Sequence, residues 1–242
     1  MKRRSVFVLV LAAIALAGVR AGAQQTVDDI IARNLAAKGG LDKLRAVQTL
    51  KQTSHLSGAM DATLVMYGKR PNLTRQEVTF AGKTVINAFD GQIAWVVNPL
   101  QGMASPMQMP AEQAEFIKQQ AEFDGPLVDY KTKGYTIELV GTETVDGRRA
   151  HHLKVTDKLQ RVQHCYIDAE SNLESKVVSE SPMGALEQIL SDYRDVDGLK
   201  WPFLVRTVQS GQEVAKIQVE KVEFNARFDD NIFRMPKAPV ER

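Results

Sequence analysis

In the stretch Ser191–Phe203, SDYRDVDGLKWPF, Asp192, Arg194, Asp195 and Asp197 crowd together beside Tyr193 and Trp201. Paired carboxylates do acid/base work when a cleft drives their pKa values apart. The same residues also spell a hairpin. Asp197-Gly198 suits the positive φ angles of a tight turn, with Tyr193 and Trp201 on the flanking strands and Asp192, Arg194 and Asp195 as a solvated edge. The spacing favours the hairpin, because a turn tip seldom encloses a cleft. The other candidate chemistry is His55, His151, His152, His164 and Cys165. Neighbours on a strand point to opposite faces, so His151 and His152 cannot chelate one ion together, and His164 and Cys165 form no thiolate-imidazole pair. With no G-x-S-x-G, H-E-x-x-H, P-loop or cysteine pair in the chain, the expectation is no enzyme, no metal site and no cofactor.

The elements that would position these residues read as strands. Asp-Gly recurs at 90–91, 124–125, 146–147 and 197–198, and three of the pairs separate apolar segments as hairpin turns do. Strands are expected at 62–67, 84–89, 93–97, 135–140, 150–155, 162–167, 173–179, 201–208 and 214–224, with period-two alternation such as Tyr135, Ile137 and Leu139 against Thr136 and Glu138. Two helices interrupt them. The first covers Thr26 to Lys38, with Thr26 as N-cap, Asp29 three residues on and Gly39 as the stop. The second covers Pro110 to Ala121, with proline first and Glu112 and Glu115 in its opening turns. Many short-linked strands make an antiparallel meander, and no long Pro/Ser/Gly linker divides it, so residues 24–242 are expected to form one domain.

Residues 1–23 carry Lys2, Arg3 and Arg4, an apolar run from Val6 to Ala17, and Ala21-Gly22-Ala23. That is the pattern of a secretory signal peptide cleaved after Ala23, and the run is too short for a transmembrane anchor. The chain has 31 Lys+Arg and 29 Asp+Glu; taking away the leader's four basic residues leaves 27 basic against 29 acidic. A near-neutral mature chain of mixed sign gives no support to nucleic-acid binding. One cysteine permits no intramolecular disulfide.

The spacing KRPNL (69–73), Asp90-Gly91, Trp95 and Asn98-Pro99 resembles the LolA-like family of periplasmic outer-membrane lipoprotein carriers. SDYRDVDGLKWPF and FRMP (233–236) look like a subgroup of lipoprotein-sorting proteins. The resemblance implies an incomplete antiparallel β-barrel, mainly β, whose concave face is covered by a helical lid. It implies a cavity for the acyl chains of a lipoprotein, and it gives Arg70 the role of a lid gate. Its other reading is a strand-end charge before a turn proline. Partners implied are an inner-membrane release complex and an outer-membrane acceptor.

Burying one CH₂ is worth about 0.8 kcal/mol, so a chain of about 16 carbons exposed to water loses on the order of 12 kcal/mol. A carrier therefore needs a dry cavity and a lid that closes on itself when empty. Met103, Met107, Met109 and Phe116 suit the lid or rim, because thioethers repack around variable shapes; each also suits plain core filling. Met66, Phe89, Trp95 and Tyr135 are candidates for the sheet side, although alternation does not say which face is concave. The expected function is a periplasmic carrier of lipoprotein acyl chains or a related lipid. The alternative is an envelope sensor or scaffold that binds a protein through its exposed sheet edge.

Overall fold

The computed structural model describes residues 25–181 and 184–236. The expected leader lies outside them. Within them, thirteen strands form one antiparallel sheet. In sequence these are β1 (Thr49–Gly58), β2 (Ala62–Lys69), β3 (Leu73–Phe80), β4 (Lys83–Phe89), β5 (Ala94–Asn98), β6 (Met103–Gln108), β7 (Thr136–Val145), β8 (Arg148–Thr156), β9 (Val162–Asp168), β10 (Glu174–Ser181), β11 (Gly184–Val196), β12 (Leu199–Gln209) and β13 (Gln212–Phe224). Their spatial order is β6-β5-β4-β3-β2-β1-β13-β12-β11-β10-β9-β8-β7. Two hairpin meanders, β1–β6 and β7–β13, are thus sewn together by the long-range pair β1/β13. The outer strands β6 and β7 are the two ends of this order, and among the described residues no pairing closes them into a barrel. The mainly-β, open half-barrel expected from the sequence is what the chain forms.

The chain crosses from edge to edge through helix α3 (Ala111–Gln120) and the short α4 (Tyr130–Lys133), while α1 (Val27–Ala37) and α2 (Leu41–Ala46) precede the sheet. The N-terminus of α1 is fixed by the expected capping box: Thr26 Oγ1 accepts from the Asp29 amide, and the Asp29 carboxylate accepts from the Thr26 amide. Its apolar stripe buries Ile30 and Ile31 against Leu153 of β8 and Ile167 of β9. α3 buries only Ala114 and Ile117, which meet Phe89, Ala94 and Met109. All four helices are short, and among the described residues no helix is long and apolar enough to cross a membrane.

Asp197 (φ 53) and Gly198 (φ 79) turn β11 into β12, and the Asp195 carboxylate accepts from the Gly198 amide at 2.9 Å. The Asp/Arg cluster is therefore a hairpin, with Arg194 paired to Asp192 at 2.6 Å. Its tip docks on the helical layer instead of standing free in solvent: the Lys200 amide donates to the Lys38 carbonyl.

Four strands escape the expectation from apolar alternation: β1, β3, β6 and most of β11. Of these, β1, β3 and β11 turn polar side chains to the concave face (Gln52 and Ser54; Thr74 and Gln76; Gln188), so period two is present in geometry and hidden in hydropathy.

Candidate functional site

Register defines the two faces. Ala94 pairs with Phe89 and both touch α3, whereas Trp95 pairs with Ala88 on the other side. Following the pairs inward, Phe89 meets Thr74, Thr74 meets Gly68, and Gly68 meets Leu50, so these residues share the concave, helix-covered face. The next row along is Asn87, Gln76, Met66 and Gln52. None of these eight side chains is charged. Gln52 is held in place: its Oε1 accepts from Trp201 Nε1 at 2.8 Å, and its Nε2 donates to Ser54 Oγ at 3.0 Å. Gln52 and Ser54 are buried polar groups whose hydrogen bonds are made inside the sheet layer, which leaves a neutral floor.

Over that floor lies a lid made of α3, the loop 121–129 and α4. It leaves two cavities. One, of about 280 Å³, is lined mainly by apolar groups including Leu44, Val47, Leu50, Phe123, Trp201 and Phe224. The other, of about 190 Å³, lies between Phe116 and strands β9 to β11, and its wall mixes the amides of Gln119, Gln120, Gln163 and Gln188 with Phe116, Pro126, Val177 and Leu186. Phe123 enters the concave face at Gly68, where a Cβ would come within 3.3 Å of its ring. A glycine inside a strand marks such close approach, and it is the signal by which the sequence could have revealed this contact.

The lid loop buries Leu127 and Val128, Leu127 against Ile30 and Ile31, and polar groups tie it down further. Arg70 spans three elements: Nε donates to the Val47 carbonyl at 2.5 Å, Nη2 donates to the Leu44 carbonyl at 3.0 Å, and the guanidinium grips Asp124 in two-point fashion with Nη2 to Oδ1 at 2.5 Å. It also lies over the Phe123 ring, 4.9 Å from its centroid. Arg45 pairs with Asp129 at 2.6 Å, Lys133 pairs with Glu122 at 2.7 Å, and the Tyr135 hydroxyl donates to Glu122. Burial, then that carboxylate, raise the Tyr135 pKa well above its ordinary value, so the hydroxyl stays a donor. At the other end of the layer Glu174 is paired with Lys38 at 2.9 Å. Burial opposes its ionisation, but the Lys38 charge and hydrogen bond prevail and hold its pKa below the usual value.

The candidates named from the sequence separate accordingly. Met66, Phe89, Met109 and Phe116 stand on the concave side, Met109 and Phe89 buried beneath α3 and Phe116 partly buried beside it. Met103 and Met107 belong to the edge strand β6, with Met107 49% exposed. Tyr135 precedes β7 and holds the end of the lid. Trp95 requires a correction. It lies on the convex face, fully buried, with its Nε1 donating to the Phe233 carbonyl at 2.7 Å. Alternation across the β4–β5 hairpin puts Phe89 on one side and Trp95 on the other, and only the tail packed behind the sheet decides which side is which. Residues that sequence reasoning missed are Phe123, Asp124, Gln52 and the slot-lining role of Trp201.

Neighbouring histidines face opposite ways as expected, and a contact between strands joins two of them. His152 Nε2 and His164 Nδ1, on adjacent strands of the convex face, are 2.7 Å apart, and His152 Nδ1 lies 2.6 Å from Glu143. Cross-strand pairing brings together what sequence adjacency keeps apart. Among the described residues no group of three or more His, Cys, Asp or Glu is arranged to hold a metal ion. Burial pushes the Cys165 thiol up to about 12, which makes it a core group and not a nucleophile.

No family model and no curated protein matches the chain. Solved structures do match. A LolA superfamily protein from Nitrosomonas europaea superposes with a TM-score of 0.58 at 14% identity over 86% of this chain and 97% of that one. A DUF1329 family protein from Desulfovibrio piger gives 0.57 at 13% identity, over 86% and 97%. A domain provisionally assigned to outer membrane lipoprotein sorting, from Vibrio parahaemolyticus, gives 0.56 at 11% identity, over 85% and 94%. At these identities the likeness is one of fold: the chain has the LolA-like fold over most of its length.

Proposed function

We propose that this LolA-like chain is a periplasmic carrier that takes an acyl chain of a lipoprotein, or of a related lipid, between the concave face and the lid, and shuttles it towards the outer membrane. The observation that carries the reading is the pairing of a neutral, partly apolar floor with a cover that buries few large side chains, Leu127 and Val128 among them, and is otherwise tied by polar groups. Exposed ion pairs such as Arg45–Asp129 and Lys131–Asp28 are screened by water and salt and hold the lid only weakly. An acyl chain gains about 0.8 kcal/mol per CH₂ buried. A handful of such ties keeps the lid shut when the site is empty and yields when a chain of a dozen or so methylenes arrives. Arg70 is the strongest of them and the natural gate. The neighbours named for lipoprotein sorting agree with this reading without extending it to a particular cargo.

The alternative use, protein binding along a sheet edge, has less support. β7 carries a bulge between Leu139 and Gly141 that puts Val140 out of register, and β6 contains Pro106, which has no amide to donate. Bulges and edge prolines are the devices that discourage strand addition.

The test is release. Vesicles bearing an acylated lipoprotein are incubated with the purified protein, and the supernatant is examined by native mass spectrometry. The proposal expects a soluble one-to-one complex of protein and lipoprotein. Lipoprotein that stays entirely with the vesicles, together with a protein that acquires no lipid mass, would exclude a carrier.

A further inference from the structure

Resting on that reading, we infer that the cavity beneath the lid loop is a slot for one acyl chain of limited length with a small anionic head, and that Phe123 sets the limit. An apolar cavity of about 150 Å³ accepts one benzene. The slot, at about 280 Å³, therefore holds roughly a dozen carbons. Leu44, Val47, Leu50, Trp201 and Phe224 supply apolar wall, and Phe123 closes it where the ring meets Gly68.

The second cavity does not offer an equal place to a second chain. It is smaller, at about 190 Å³, and beside Phe116, Pro126, Val177 and Leu186 five of its nine lining residues are polar, Gln119, Gln120, Gln163, Ser179 and Gln188, so that hydrocarbon placed there would strip water from polar groups. The loop 121–126 lies between the two spaces, contributing Phe123 to one and Pro126 to the other.

The mouth of the slot fixes the head. Of the charged residues that line it, Asp124 is held by Arg70, Glu122 by Lys133, and Lys38 by Glu174 at 2.9 Å. Lys200 is the least committed, 3.7 Å from Asp195 with its side chain 43% exposed. A carboxylate or phosphate at the end of the chain would stay in water beside this ammonium.

The experiment titrates the delipidated protein, in a Trp95→Phe background so that Trp201 alone emits, with saturated fatty acids of increasing length below their micellar concentration, and reads Trp201 emission. Affinity should rise about fourfold for each CH₂ added and level off near roughly a dozen carbons. In Phe123→Ala the levelling should move to longer chains by roughly the six carbons of the ring removed. Phe123→Leu, which keeps the cover apolar, should give a smaller move in the same direction. Lys200→Glu should weaken the acid by about fivefold relative to the alcohol of equal length, and a diacyl lipid should bind no tighter than its single-chain counterpart. A rise that continues past the limit, a levelling point unaffected in both Phe123 variants, or a diacyl lipid bound much more tightly would overturn the slot while leaving a carrier intact. Failure to bind any chain, acyl lipoprotein included, would remove the carrier reading as well.

Discussion

Behind the sheet, on its convex face, the segment that follows β13 forms a dense aromatic seal. Phe228 meets Tyr67 edge-on at 5.6 Å and Phe233 at 5.7 Å, the Phe233 carbonyl accepts from Trp95 Nε1, and Arg75 stacks 5.5 Å from the Trp95 ring while donating to the Ile232 carbonyl. Trp95 and Phe233 are 0% and 1% exposed. In front, on the concave face, α3 buries only Ala114 and Ile117, and the loop adds ion pairs to the burial of Leu127 and Val128. The convex cover is made of contacts that are lost together. The concave cover has fewer large buried side chains and adds ion pairs whose partners can be exchanged one at a time for water. The difference teaches which face is structural and which is free to work.

The sharpest way to break this comparison is to damage the seal. Trp95→Ala should cost about 3–5 kcal/mol in urea unfolding, because it removes a large, fully buried ring and orphans the Phe233 carbonyl. Lipid uptake per folded molecule should be unchanged. A smaller effect should come from acid. Asp168, near the turn after β9, is held well below the usual carboxylate range by Arg148 first, and then by Ser171 and the Glu170 amide. A pKa lowered by folding stabilises the protein where the unfolded carboxyl is ionised. That contribution is present at neutral pH and is lost as pH falls below about 4. Urea midpoints taken across that range should fall in the wild type and fall less in Asp168→Asn. The smallest change in stability, about 1–2 kcal/mol, is expected for Arg70→Leu, which leaves Asp124 without its partner. Its signature is local. Amide exchange should quicken in residues 119–128 and stay unchanged in 228–233, whereas uniform acceleration would mean that Arg70 is only a structural ion pair.

How much of this was legible beforehand depends on whether hydropathy and geometry agree. Strands with apolar rows, such as β8 with Leu153 and Val155, announce themselves. β1, whose inward row mixes Leu50 with Gln52 and Ser54, does not, and it is the strand that joins the two meanders. The turn at Asp197-Gly198 and the capping box at Thr26 follow from local chemistry and are found where their residues predict. Facing is another matter. Phe89 and Trp95 are equally large and apolar, and their assignment to opposite faces depends on the tail from 226 to 236, some 130 residues away in sequence. Arg70 was readable as a motif, but its partners Asp124, Val47 and Leu44 are tertiary facts.

The chain has two tryptophans, and the structure puts one on each face. The most direct test of the account uses them as a pair of reporters, with a lipid brominated along its acyl chain as the quencher. In Trp95→Phe only Trp201 emits; in Trp201→Phe only Trp95 does. Binding beneath the lid predicts strong quenching of Trp201 and little of Trp95. Equal quenching of both, or quenching of Trp95 alone, would contradict a cargo site on the concave face.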